Sequence, residues 1–173
     1  MASTASRLGL IVFSVTQMVF LASSLGSVGF FLNEFNKAEQ KQSSIADDVG
    51  LFGREEFFLF SVSIGIVIAL FSMIIGMTQS HEKAQYAASM LAAHVLLLLL
   101  LVVSSSLLIK TETIYDRNLL CDALKLGTDA RCYQLIIGVV SAFLSVALFI
   151  GSTVIYCTSL LGTVRISFIN MDN

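Results

Sequence analysis

The chain has 173 residues, of which 56% are hydrophobic and only 13% are charged. A soluble domain usually carries about 25% charged residues, so the composition excludes an ordinary soluble domain and indicates an integral membrane protein. The formal net charge of −2 comes without a cluster of Lys or Arg, which argues against a nucleic-acid partner.

The first apolar segment covers residues 8–32 and is predicted to be a transmembrane helix. It is longer than the roughly 7–15 apolar residues of a signal peptide, so we interpret it as a retained helix. Small residues at positions 23–27 resemble a cleavage zone, and removal of the segment is the alternative. Residues 33–56 then mix apolar side chains with charges. This mixture predicts a folded cap or a surface helix rather than a loose linker.

Two further apolar segments follow at residues 57–78 and 87–109, separated by a short polar connection. The connection predicts that these two helices are antiparallel neighbours. The later segment contains six consecutive leucines. At about 1.5 Å per residue it is long enough to cross the hydrocarbon core of a bilayer. Consecutive leucines leave no polar face, which favours lipid as the surroundings, and Leu97 is expected to face the lipid.

A second polar segment, residues 110–132, leads to the last apolar segment at residues 133–162, which is longer than one bilayer crossing. The sequence shows no internal repeat or linker, so residues 1–173 are expected to form one domain. The predicted fold class is all-α, an integral membrane four-helix bundle. Its two larger polar segments, 33–56 and 110–132, are expected on the same side of the membrane.

Small residues recur at four-residue spacing in the predicted spans. This spacing places them on one face of a helix, where they let another helix approach closely and gain van der Waals contact. We expect these residues to lie in contacts with another helix of this chain or of a foreign chain. They are Ala22 and Gly26 in the first span, Ser61, Gly65 and Ala69 in the second, and Gly138, Ala142, Ala147 and Gly151 in the last.

Cys121 and Cys132 lie in the second larger polar segment. A redox couple is one interpretation, but membrane thiol oxidases need a closely spaced pair such as C-x-x-C, and the sequence has none. A structural disulfide that staples the second outer loop is favoured, and it would contribute about 2–4 kcal/mol. Because such a bond needs an oxidising compartment, this loop is expected outside the cytoplasm.

The distribution of Lys and Arg opposes this orientation. Seven of them lie in the two larger polar segments and three lie on the side of the termini. The positive-inside rule would therefore place the larger segments in the cytoplasm. We give the cysteine pair more weight than this count. The expectation is a multi-pass protein of the plasma membrane or the secretory pathway, with cytoplasmic termini.

Gln17 and His94 are strongly polar residues inside the predicted spans. An intramembrane histidine suggests a proton relay, a metal ligand or a haem ligand. A metal site needs further ligands, and the spans contain no Asp, Glu or second histidine to supply them. No metal, cofactor or catalytic residue is therefore predicted. The favoured interpretation of His94 is a neutral imidazole hydrogen-bonded to a neighbouring helix, with Gln17 or a serine as its partner.

Four helices, two outer loops and a cysteine pair in the second loop resemble the tetraspan plan of MARVEL-type proteins, the occludin and synaptophysin group. The resemblance covers the whole chain as architecture. The W-x-L-W-C-C pattern of claudins, the C-C-G of tetraspanins and the paired-loop cysteines of connexins and innexins are missing. The MARVEL-like plan implies a membrane organiser without enzymatic activity, or a subunit of a larger complex.

The first functional hypothesis is a structural or auxiliary subunit that packs laterally against other integral membrane proteins, such as a channel, a receptor or a junction-type complex. A homo-oligomeric channel or transporter subunit is the alternative, although Gln17, His94 and hydroxyl groups offer little polar lining for an ion pathway. A membrane thiol oxidase fails on the cysteine spacing, so no enzymatic activity is expected.

Overall fold

The computed structural model describes residues 2–41, 53–78, 84–117 and 132–171. These residues form four α-helices, and no strand occurs among them. The predicted all-α class is therefore confirmed. The helices are α1, Ala2–Lys41; α2, Arg54–Met77; α3, Ala84–Arg117; and α4, Tyr133–Met171.

Each helix contains a stretch that is long and apolar enough to cross a membrane. These stretches lie within a few residues of the predicted spans, so the number of helices long and apolar enough to cross a membrane agrees with the prediction. The stretches are Arg7–Glu34, Arg54–Met77, Gln85–Thr113 and Tyr133–Gly162.

Three helices continue beyond their apolar stretches into polar sequence. The chain has no proline to stop them, and Lys, Glu, Gln and Ala are good helix formers. As a result α1 extends to Lys41, so the first part of the predicted outer loop 33–56 is helical. The folded cap expected in the rest of that loop falls mainly on residues 42–52, outside the described residues.

The four helices form a ring in which α1 and α3 both pack mainly against α2 and α4. Adjacent helices run antiparallel, as Arg7 illustrates. Its Nε and Nη2 donate to the carbonyl oxygens of Gly76 and Met77, at 3.1 and 2.9 Å. The guanidinium at the start of α1 thereby supplies partners for the last carbonyls of α2, which lack partners within their own helix.

Large apolar side chains occupy the interior and also cover the outer surface. Leu21, Phe58 and Phe149 are fully buried in one core cluster that draws on all four helices. Val19 and Phe60, by contrast, are more than half exposed. Such an extensive apolar exterior suits contact with lipid or another apolar surface.

The leucine run of α3 does not face outward as a whole. Leu97 is 1% exposed and belongs to the core, so the expectation that it faces lipid is wrong. Leu96 and Leu99 are 64% and 61% exposed and do lie on the outer surface. A run of identical residues has no periodicity, and only the rotation of α3 against its neighbours decides which leucines turn inward.

Cys132 lies just before α4, half-buried against the core, and its sulfur is not free. Cys121 lies outside the described residues. The disulfide between them, and with it the stapled second loop, therefore stays a prediction.

Helices α1 and α4 approach each other closely at Gly138. The Ser24 hydroxyl donates to the carbonyl oxygen of Gly138 at 2.8 Å, and the Ser27 hydroxyl donates to that of Gln134 at 2.7 Å. A methyl group on Gly138 would overlap Cγ2 of Val28. Close approach at a residue without a side chain thus brings the two serines within hydrogen-bonding distance of the α4 backbone.

We predict that Gly138→Ala destabilises the bundle by about 1–3 kcal/mol, because the added methyl forces α1 and α4 apart. The measurement is the free energy of unfolding in detergent micelles. Gly26→Ala is the matched control, since no heavy atom lies within 4 Å of the methyl it would add. Both variants share the intrinsic gain in helix propensity. Equal stabilities for the two would contradict the close contact.

Candidate functional site

Most of the predicted packing residues lie at interfaces between helices of this chain. Ser61, Gly65 and Ala69 are buried along α2, and Gly138 and Ala142 are buried along α4. A methyl on Gly65 would lie 3.0 Å from Cδ1 of Leu21 and 3.7 Å from Cδ1 of Leu97. The α2 stripe is therefore filled by α1 and α3, not by lipid.

Gly151 is half-buried and also lies in a helix contact. A methyl at this position would lie 3.0 Å from Cε2 of Phe13. The small residue thus makes room for an aromatic ring of α1 on the surface of α4.

Three other predicted packing residues, Ala22, Gly26 and Ala147, are exposed. For these three residues, contact with a helix of a foreign chain is the part of the expectation that stays a prediction. The face of α1 that meets the other helices includes Leu21 and Ser24. Ala22 is offset from Leu21 by one residue, a rotation of about 100°, which turns it outward. The spacing of small residues identifies a helix face, but it does not determine whether that face lies inside the bundle or on its outer surface.

His94 is completely buried on α3, and its surroundings are aromatic. Its ring centroid lies 5.3 Å from the rings of both Phe149 and Tyr156 on α4. Nδ1 lies 2.8 Å from the carbonyl oxygen of Met90, one turn earlier on the same helix. Because a carbonyl oxygen only accepts, Nδ1 carries a proton and donates it. His94 therefore forms a hydrogen bond within its own helix. The sequence had suggested a bond to Gln17 or a serine of a neighbouring helix instead.

Gln17 is also completely buried, and it bonds across the α1–α4 interface. Its amide Nε2 donates to the Ser152 hydroxyl oxygen at 3.1 Å. Between α2 and α4 the hydroxyls of Ser72 and Tyr156 share a hydrogen bond of 3.0 Å. The four helices thus each contribute buried polar side chains to one level of the bundle.

We call this level the histidine layer. It is organised around one face of α4, because Ser152 and Tyr156 are four residues apart and both are buried. His94 reaches this face from α3, Gln17 reaches it from α1 and Ser72 reaches it from α2. The layer consists of Ser14, Gln17, Ser72, His94, Ser152 and Tyr156.

Three atoms of the histidine layer have no hydrogen-bond partner among the described residues. They are the Nε2 atom of His94, the Oε1 atom of Gln17 and the Oγ atom of Ser14. Two of them are acceptors, since Nδ1 of a neutral His94 holds the ring proton and Oε1 is a carbonyl oxygen. A buried acceptor without a donor is unfavourable by about 1–3 kcal/mol. The side chains of the layer therefore do not satisfy all of its own hydrogen-bonding groups.

A second set of buried hydroxyls lies closer to the other end of the bundle, and we call it the serine layer. It consists of Ser24, Ser61, Ser104, Ser105, Ser141 and Ser145. The serines follow the histidine layer in the sequence of α1 and α3 and precede it in α2 and α4. Because adjacent helices are antiparallel, they lie on the same side of the histidine layer in all four helices. Ser61, Ser104 and Ser145 donate to carbonyls of their own helices, as expected for serines in helices.

An apolar layer separates the two polar layers. Leu21 and Leu97 both pack next to Gly65, and Phe149 of α4 belongs to the same core cluster. Every helix repeats the order of a polar residue, an apolar or glycine residue and a polar residue. The series are Gln17, Leu21 and Ser24 on α1; Ser72, Gly65 and Ser61 on α2; His94, Leu97 and Ser104 on α3; and Ser152, Phe149 and Ser145 on α4.

The sequence drew attention to Gln17 and His94 but not to the rest of the histidine layer. Ser14 precedes Gln17 by three residues, and Ser152 precedes Tyr156 by four, so both pairs share a helix face. Polar residues three or four positions apart within an apolar span are the sequence pattern from which these members of the layer could have been predicted. Pairing Ser72 with Tyr156 needed the tertiary structure, because the two residues are far apart in the chain.

Within the described ranges no group of three or more His, Cys, Asp or Glu side chains could hold a metal ion. No family model, curated protein or solved structure matches the chain.

We predict that Ser152→Ala lowers the free energy of unfolding by about 0.5–2 kcal/mol, because it leaves the buried Gln17 amide without its acceptor. Ser106→Ala is the control: this hydroxyl is exposed and bonds Val102 of its own helix. The control should change stability by no more than about 0.5 kcal/mol. A loss of equal size in both variants would show that the Gln17–Ser152 bond contributes nothing specific.

Proposed function

We propose that the protein is a non-enzymatic four-transmembrane subunit with a structural or auxiliary role, which packs laterally against other integral membrane proteins. The observation that carries this proposal is the exposed small-residue pair of α1. Ala22 and Gly26 lie on the outer surface, and a methyl added at Gly26 would meet no heavy atom within 4 Å. The small-residue stripe of α2, by contrast, is already filled inside the bundle.

The surroundings of this pair suit a helix of another membrane protein. Val19 and Phe30, on either side of the pair, are 62% and 46% exposed. Two larger side chains with small residues between them form a shallow groove, and in an apolar solvent such a groove gains energy only by close packing. An incoming helix is therefore expected to cross α1 near Gly26.

The interior of the bundle supports a packing role as well. Hydrogen bonds between α1 and α4 and between α2 and α4 hold the histidine layer, and the apolar layer at Leu97 interrupts the polar interior. A bundle that is closed at this level is suited to act as a rigid body against a partner.

We predict that Gly26→Leu removes the protein from its complex, because the leucine fills the groove that a partner helix would occupy. The measurement is native mass in a mild detergent, with identification of the chains that stay bound in fixed stoichiometry. Wild-type protein is expected at the mass of a complex, and Gly26→Leu at the mass of the single chain.

Gly162→Leu is the matched control, because this glycine is also exposed with no heavy atom within 4 Å of an added methyl. It lies at the end of an apolar stretch and should leave the complex intact. A wild-type protein that runs as a single chain, or a complex that Gly26→Leu leaves unchanged, would contradict the proposal.

A homo-oligomeric channel or transporter subunit is the second candidate, and the two polar layers favour it. They place buried hydroxyls on both sides of the apolar layer at Leu97 and the His94 imidazole on one side of it. For this candidate the complex would contain copies of this chain alone, and replacing Leu97 with serine would increase solute flux into proteoliposomes. A foreign chain in the complex favours the auxiliary subunit.

We also propose a location in the plasma membrane or another membrane of the secretory pathway, with the termini in the cytoplasm. The cysteine pair supports this location, since a disulfide in the second outer loop needs an oxidising compartment. The MARVEL-like tetraspan plan fits the same orientation. The two larger polar segments, 33–56 and 110–132, would then lie outside the cytoplasm.

We predict that Cys121 and Cys132 are linked when the protein is isolated from such a membrane. Mass spectrometry of an unreduced digest should find the two peptides joined, and reduction should separate them. Cys157, whose thiol is free and exposed, is the internal control that should react with an alkylating reagent without reduction. Alkylation of all three cysteines before reduction would remove the argument for an external second loop.

A further inference from the structure

We propose that the histidine layer binds one neutral hydroxyl group, which donates a hydrogen bond to Nε2 of His94, either to this atom alone or as a bridge between Nε2 and Oε1 of Gln17. The proposal concerns the interior of the bundle, and it does not depend on the lateral packing proposed above.

The state of His94 follows from its contact with its own helix. Nδ1 donates to the Met90 carbonyl oxygen at 2.8 Å, so the neutral ring holds its proton on Nδ1 and leaves a lone pair on Nε2. No partner for Nε2 exists among the described residues, and the side chain is completely buried. Since Nδ1 faces the α3 backbone, Nε2 is the ring atom that points away from it.

Gln17 brings a second acceptor to the same part of the bundle. Its amide nitrogen is held by Ser152 on α4 at 3.1 Å, which leaves Oε1 buried and unpartnered among the described residues. Ser152 lies between Phe149 and Tyr156, the two residues whose rings contact His94. Gln17 and His94 therefore approach one turn region of α4 from its two neighbouring helices.

The donor and acceptor balance selects the class of ligand. Both unpartnered acceptors need a donor, so a ligand that only accepts, such as a quinone or ester carbonyl, leaves them unsatisfied. A cationic donor such as an ammonium group would bring a charge, and no Asp or Glu belongs to the layer to compensate it. A neutral O–H group supplies the donor without a charge.

Two sources could supply this hydroxyl. A water molecule has two donors and could serve both acceptors at once, which matches the two to four polar partners of buried waters in proteins. A membrane-dissolved alcohol such as a sterol has one donor and would serve one acceptor while its carbon skeleton lies against the apolar side chains. The chemistry is shared, and the experiment separates the sources.

The test uses solid-state NMR of the full chain with ¹⁵N-labelled histidine in phosphatidylcholine vesicles. Only two histidines occur in the chain, and His81→Gln leaves His94 as the single imidazole. Nε2 is expected to show the signal of an unprotonated nitrogen that accepts a hydrogen bond. Transfer of magnetisation from water protons to Nε2 in sterol-free vesicles would identify water as the source.

Vesicles that also contain cholesterol labelled with ¹³C at its hydroxyl-bearing carbon form the second arm. A dipolar contact between that carbon and Nε2 would identify the sterol hydroxyl as the source. Either contact supports the proposal. Contact with neither source, a proton on Nε2, or a direct bond from the Gln17 amide to Nε2 would overturn it.

Two variants test whether the transfer to Nε2 depends on the histidine layer. Gln17→Leu removes the second acceptor and should weaken the transfer to Nε2 while Nδ1 stays protonated. Ser106→Ala, on the exposed side of α3, should leave the transfer unchanged. If Gln17→Leu fails to fold, the single-histidine protein still decides the question by itself. Equal transfer in wild type and Gln17→Leu would remove Gln17 from the site.

Discussion

Hydrogen bonds and close contacts between α1 and α4 are the interaction on which the rest of the bundle depends. Helices surrounded by lipid gain nothing from hiding apolar surface against each other, so they associate through packing and polar contacts. Here Gly138 brings the two backbones together, and the Ser24 and Ser27 hydroxyls then reach the carbonyl oxygens of α4. The first and last helices of the chain are thereby fixed against each other.

Once α4 is fixed, its inward face organises the remaining helices. Ser152 receives the Gln17 amide, Tyr156 meets Ser72, and the rings of Phe149 and Tyr156 contact His94. One helix thus collects polar side chains from the three others at one level. The same geometry leaves acceptors on His94 and Gln17 without a donor among the described residues. The contacts of α4 that form the layer therefore also leave the acceptors to which we propose a hydroxyl group binds.

The interior and the exterior of the bundle differ in composition. The interior alternates polar and apolar layers, whereas the outer surface is mainly apolar, with charged side chains such as Glu56 and Lys110 near the ends of the apolar stretches. The groove at Gly26 belongs to the exterior, whereas the histidine layer belongs to the interior. The proposed binding of a partner helix and the proposed binding of a hydroxyl group therefore depend on different residues, and different substitutions should remove them one at a time.

The sequence by itself determined the number and approximate extent of the spans, because long apolar runs without charges leave few alternatives to helices in lipid. It also singled out Gln17 and His94, since polar side chains are rare in such runs. It did not determine which way each helix is turned. Leu97 faces inward between two outward-facing leucines, and Ala22 and Gly26 face outward although their spacing matches that of the buried Gly65 and Ala69. A helix repeats its side chains around its axis, and only contacts with neighbouring helices fix its rotation, so the tertiary structure alone decided which polar residues meet.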